Sequence, residues 1–246
     1  MAGARAVAAF GRNDLRGTYR DPLLVMIVLA PVIWTTGVAV LTPRFTALLA
    51  ERYRFDLVPY YPLVLTAFLL LTSIIIAGGL AAFLVLDELD AGTLAALRVT
   101  PVPLSVFFGY RAGTVIAVTT VYVIATMSFS GLLQPGLTPA LIPIGLLAGL
   151  SAVVTLLLIL AMAHNKIQGL AALRALGMLI AGLPCVPWFI DSGWNLVFGV
   201  LPPYWAAKAF WVASEHGTWW PYLLGGVGYN VALAVPLFRR FLRYCS

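Results

Sequence analysis

Six separate stretches of this sequence are long and apolar enough to cross the hydrocarbon core of a bilayer, which takes about 20 residues per helix. They read as Leu23 to Leu41, Pro62 to Leu86, Leu104 to Leu133, Leu141 to Ala163, Leu170 to Ile190 and Tyr222 to Phe238. Lipid offers no partner to a backbone N–H or C=O, so each stretch must close its own hydrogen bonds as a helix, and the expected fold class is all-α. Of the 246 residues, 62% are hydrophobic and 10% charged, against about 25% charged in soluble domains. A water-facing surface cannot be built from so few charges. A disordered chain is excluded by the same figures, and two cysteines are too few for a disulfide scaffold.

The net charge of +6 lies between the apolar runs. It is not gathered on one face with interleaved aromatics, so no nucleic-acid partner is expected. With the N-terminus inside, one side holds Arg5, Arg12, Arg16, Arg20, Arg98, Arg111, Lys166, Arg174, Arg239, Arg240 and Arg243, and the other holds Arg44, Arg52, Arg54 and Lys208. Cytoplasmic connections are enriched in Lys and Arg, and 11 against 4 puts both termini in the cytoplasm. The first 20 residues carry four arginines without a compact apolar core and a small-residue cleavage site, so no cleavable signal peptide is expected. Six of the seven tryptophans (Trp188, Trp194, Trp205, Trp211, Trp219 and Trp220) mark the connection before the last span as an outer interfacial structure. Within it, Pro202-Pro203, Tyr204 to Ser214 and Gly217 read as a helix too short to span. It is expected to dip into the outer leaflet or to lie on it.

Two segments outside the spans are organised. On a helical wheel, Arg5, Arg12, Arg16 and Arg20 share an arc of roughly 80°, opposite Val7 and Phe10. A basic amphipathic helix on the inner leaflet and a solvated basic tail both fit this arrangement. Between spans 2 and 3, the acids Asp87, Glu88 and Asp90 precede Gly92-Thr93-Leu94, then Leu97-Arg98 and Thr100-Pro101. The acids suit the positive end of a helix dipole, Arg98 sits near the other end, and proline stops the helix. A short charged-ended helix across the inner membrane surface is expected.

This acidic start, with Gly92-Thr93-Leu94, Leu97 and Thr100-Pro101 ahead of the third span, resembles the signature of ABC-2 type transporter permeases, in particular the drug-exporter branch. The resemblance covers essentially the whole chain. It implies the ABC-2 (type V ABC exporter) permease fold as one domain over residues 1–246. An amphipathic helix would occupy 1–21 and spans 1 to 5 residues 22–190, with a coupling helix near 88–100; an outer re-entrant region over 191–221 and span 6 over 222–238 would follow. It also implies a dimer, with a second copy or a related permease, and two separate P-loop ATPase subunits. These would grip the N-terminal helix and the connection formed by Asp87, Glu88, Asp90, Gly92, Thr93, Leu94, Leu97, Arg98, Thr100 and Pro101. The implied cargo is a hydrophobic or amphipathic compound, an antibiotic such as a fluoroquinolone, leaving across a bacterial inner membrane. Lipid or glycan export is the alternative within the family.

The residue chemistry is that of a transport subunit without a catalytic or metal site. A phosphate-cradling loop needs Gly-Lys-Ser/Thr, and the two lysines, Lys166 and Lys208, follow Asn165 and Ala207. ATP and Mg are therefore expected on the partner, and no cofactor in this chain. An ion-coupled carrier or channel places ionisable groups within its spans, and the span centres read as free of them. An intramembrane serine protease fails because Gly149-Leu150-Ser151-Ala152 lacks the final glycine of its motif and span 6 holds no histidine. Two G-x-x-x-G pairs, Gly109/Gly113 and Gly145/Gly149, permit close helix contact, yet 22 glycines yield about two such pairs by chance.

Overall fold

The computed structural model describes residues 11, 20, 22–92, 104–190 and 192–245. Among these residues the chain is a bundle of α-helices without strands. In order they are α1 (Pro22–Tyr53), α2 (Val58–Asp90, with its first turn 3-10), α3 (Leu104–Phe129), α4 (Leu141–Met162), α5 (Lys166–Ala181), α6 (Tyr204–Ser214) and α7 (Trp220–Cys245). All but α6 belong to the six helical stretches long and apolar enough to cross a membrane, with α5 continuing through a 3-10 segment, Leu183–Phe189.

The helix α4 is the axis of the bundle. It is apolar on every side, the pattern of a helix enclosed by others, and α2, α3 and α7 pack along it. In the most apolar window of each helix, 78% of α4 and 72% of α2 is buried, against 17% of α1 and 11% of α7. The outer helices thus keep apolar faces that the bundle itself leaves uncovered. Leucine gains little by leaving lipid for another helix, so close backbone approach has to supply the attraction. Glycines mark those approaches. A Cβ on Gly149 would lie 2.7 Å from Ile116 Cα of α3, one on Gly145 3.1 Å from Thr120 Cα, and one on Gly78 of α2 2.7 Å from the Ala152 carbonyl oxygen. Of the two G-x-x-x-G pairs, Gly145/Gly149 is therefore a helix-helix contact. Gly109/Gly113 faces open space in the described structure.

Two helix ends differ from those read in the sequence. The helix of span 1 does not stop at Leu41. It has 32 residues, about 48 Å at about 1.5 Å per residue, and runs through Pro31 and Pro43. Within a membrane helix, proline is tolerated where neighbouring groups re-satisfy the backbone; the Thr35 hydroxyl donates to the Pro31 carbonyl at 2.7 Å. The helix closes only at Arg54, whose φ of 53° turns the chain. Span 3 ends at Phe129 instead of Leu133, because Ser130 bonds back to Met127 and Gly131 takes φ 71°.

The bounds of α6 match those read from Pro202-Pro203 and Gly217, and the helix is packed among its neighbours. Tyr204, Phe210 and Trp211 are buried, and α6 is wedged against α7, α4 and the first half of α2. At the wedge, α2 contains a π turn, Thr66–Leu70. Trp211 Nε1–H donates to Thr66 Oγ1 at 2.7 Å, and the Thr66 hydroxyl donates to the Pro62 carbonyl at 2.8 Å. An indole buried in apolar surroundings needs such a partner. Ser151 donates to the Pro202 carbonyl at 3.1 Å, which ties α4 to the start of α6. Trp194 and Trp220 stay exposed as interfacial rings would, whereas Trp211 and Trp205 are packing anchors.

Gly149→Ala is expected to lower stability by about 1–3 kcal/mol in reversible SDS unfolding, since α3 must move away. Gly113→Ala should remain within about 0.5 kcal/mol of the unsubstituted protein.

Candidate functional site

The three acids that the sequence singled out occupy the last turns of α2. Carboxylates at a helix C-terminus oppose its dipole, so they need partners from elsewhere, and α3 and α5 supply them. Glu88 Oε1 lies 3.3 Å from Arg111 Nη2 on α3. Asp87 Oδ2 lies 3.0 Å from Lys166 Nζ on α5, and the Lys166 backbone N–H donates to Asp90 Oδ2 at 3.4 Å. On a helix, positions 87 and 90 are about 60° apart and position 88 points away from both. One face therefore meets α5 and the other α3.

The start of α5 is itself well specified. Asn165 accepts from the Gln168 N–H at 2.9 Å, and Gln168 Oε1 accepts from the His164 N–H at 2.9 Å, a pairing close to a capping box. Asp87 and Asp90 thus sit at the N-terminal, positive end of the α5 dipole, and the short helix expected after them lies outside the described residues. After Asp90, Ala91 N–H donates to the Asp87 carbonyl and Gly92 N–H to the Leu89 carbonyl, with Gly92 at φ 68°. Gly92 is the left-handed residue that ends α2. Thr93, Leu94, Leu97, Arg98, Thr100 and Pro101 lie outside the described residues, as does nearly all of the basic segment before α1.

The two ion pairs differ in environment. The side chains of Asp87 and Lys166 are 39% and 31% exposed, where a pair is worth about 0–1 kcal/mol. Arg111 is 2% exposed and Glu88 13%, so this pair is held out of water, where breaking an ion pair costs more. The sequence reading counted Arg111 among the rim charges. The structure places it eight residues into α3 and under the rings of Phe107 and Tyr110, whose centroids lie 5.4 and 5.9 Å from its guanidinium carbon.

Arg111 also forms part of the wall of a cavity of about 530 Å³ between α1, α2 and α3. Sequence reasoning identified no such pocket, although a signal was present: Tyr110, Thr114, Val118 and Tyr122 recur every four residues and put a partly polar stripe on α3. Lys166, the other missed residue, could not be paired with an acid 79 positions away from spacing alone.

A bundle of six apolar helices, a short helix wedged between them and an ionic cluster at one end define a multi-pass membrane protein. The chain belongs to the family described as "Fluoroquinolones export permease protein Rv2686c-like", which matches residues 14–238. It is 80% identical over 241 residues to the Fluoroquinolones export permease protein Rv2686c of Mycobacterium tuberculosis (strain ATCC 25618 / H37Rv), covering 98% of this chain and 96% of the relative. The same identity and coverage hold for the Fluoroquinolones export permease protein MT2760 of M. tuberculosis strain CDC 1551 / Oshkosh. No solved structure matches the chain.

Glu88→Leu is expected to cost more than about 1 kcal/mol of stability, because it takes a carboxylate from the buried Arg111 guanidinium. Asp87→Asn should cost no more than about 1 kcal/mol. SDS unfolding of both variants measures the ranking, and equal losses would contradict it.

Proposed function

We propose that this chain is the membrane subunit of an ABC exporter of the ABC-2 type, carrying fluoroquinolones or similar amphipathic drugs out of the cell across the bacterial inner membrane. The observation that carries the reading is 80% identity over nearly the full length of permeases named for fluoroquinolone export. The chain has no phosphate-binding loop of its own, so the energy comes from ATP, with Mg, on a separate P-loop ATPase subunit, and the chain itself has no enzymatic activity. The permease works as a dimer, with a second copy or a related permease. Both termini and the Asp87 to Pro101 connection face the cytoplasm.

On this reading, the ATPase bears on a connection that leaves α2 at Gly92, directly beyond the carboxylates tied to α3 and α5. A push there is transmitted to three spans through ionic contacts and not through a flexible tether. Binding energy spent outside the membrane then shifts a two-state bundle between inward-open and outward-open forms.

Two measurements test the reading. Deleting the chain in its native host should raise intracellular fluoroquinolone accumulation, and gentle detergent purification of the tagged protein should bring a stoichiometric P-loop ATPase with it. Unchanged accumulation together with purification of the chain alone would overturn the proposal. Gly92→Pro, which cannot take φ 68°, should lower transport-linked ATPase activity while leaving membrane insertion intact.

A further inference from the structure

The cavity of about 530 Å³ between α1, α2 and α3 is a long apolar slot. On α3 its wall runs from Tyr110 to Tyr122, about 18 Å of helix at about 1.5 Å per residue, so the slot lies along the spans. Val28 of α1, Leu80 and Ala81 of α2 and Val118 of α3 give it aliphatic sides. Two of the polar residues in its wall already have partners. The Thr114 hydroxyl donates to the Tyr110 carbonyl at 2.9 Å, and Arg111 is paired with Glu88. Water settles in a cavity only where several polar groups meet it, and an apolar cavity stays dry.

An empty slot is costly as well, because the atoms of its lining lose the dispersion contacts that a partner would supply. Its position indicates the partner. The helix α1, which forms one side, is buried over only 17% of its most apolar window, and Leu29 at the rim is 47% exposed. The slot therefore stands at the outside of the bundle, in reach of the surrounding bilayer. We propose that one acyl chain of a membrane phospholipid occupies it, lying along the spans between Val28, Ala81 and Val118 with its headgroup outside, and that this chain completes the seat of α1 on α2 and α3. A run of methylenes fills a slot of this length and brings in no polar group that the aliphatic sides would leave unsatisfied. The lipid is structural, and its place is independent of what the protein transports.

The test uses the full-length protein, reconstituted with phosphatidylcholine, returned to mild detergent and measured by native mass spectrometry. One phosphatidylcholine should stay on each chain after loosely held lipid has washed away. Val28→Phe and Val118→Phe fill the slot from opposite sides, and each should lower that retention about tenfold. Ala117→Phe, on the exposed face of α3, should leave it unchanged. Thermal unfolding gives a second reading. Delipidation should lower the Tm of the unsubstituted protein and phosphatidylcholine should restore it, whereas the two filled variants should respond less, because a ring stands where the chain did. Retention in both filled variants equal to that of the unsubstituted protein, or an unsubstituted protein that holds no lipid, would overturn the proposal. A free fatty acid retained from the host in place of phospholipid would overturn the phospholipid assignment. Displacement of the retained lipid by the fluoroquinolone norfloxacin would give the slot to a drug and overturn the structural role.

Discussion

How closely α2 and α3 can approach α4 sets the geometry of the whole bundle. Lipid tails solvate a leucine nearly as well as a neighbouring helix does, so apolar composition puts six helices in the membrane without telling them where to stand. Contact at backbone distance does that. Gly145 and Gly149 admit α3 at Thr120 and Ile116, Gly78 admits the α4 backbone at Ala152, and Gly225 and Gly226 of α7 receive the Trp205 side chain of α6. With α2 and α3 held against the same helix, the last turns of α2 come to lie beside Arg111. The ionic cluster follows from the glycine contacts, and so does the cavity that opens where α1 completes the wall.

The two ends of the bundle use different chemistry. At one end, tryptophan and proline wedge α6 between spans and fasten it to the π turn of α2 through Trp211 and Thr66. A π turn leaves backbone and side chains out of the regular helical register, and such turns recur at functional sites. At the other end, Asp87, Glu88 and Asp90 fasten α2 to α3 and α5 through ionic contacts. The helix α2 is thus clamped at both ends, by a hydrogen-bonded indole at one and by a buried and a partly solvated ion pair at the other. The ionic end is the one beside Gly92.

Much of this was legible in the sequence where a single helix suffices to explain it. The six spans, the short helix Tyr204–Ser214 and the cluster of acids at the end of span 2 follow from local hydropathy, proline, glycine and charge. What could not be read depends on neighbours. Pro43 and Arg44 look like the end of span 1, yet the helix continues to Tyr53, because one lost hydrogen bond does not outweigh the turns on either side. Trp211 looks like an interfacial anchor until its N–H is seen on Thr66. The two G-x-x-x-G pairs are indistinguishable in sequence, and only the packing of α3 on α4 separates the one in contact from the one facing open space. Arg111 reads as a rim charge by its distance from the end of span 3, and only the fold shows it buried in a cavity wall.

The claim on which the account turns is that ATP on a partner subunit, and not an ion gradient through this chain, moves the drug. Norfloxacin uptake into inverted membrane vesicles carrying the complete transporter measures this most directly. The account predicts uptake that requires ATP hydrolysis and continues after ionophores have collapsed the proton and sodium gradients. Uptake that proceeds without ATP and stops when the gradients collapse would contradict it.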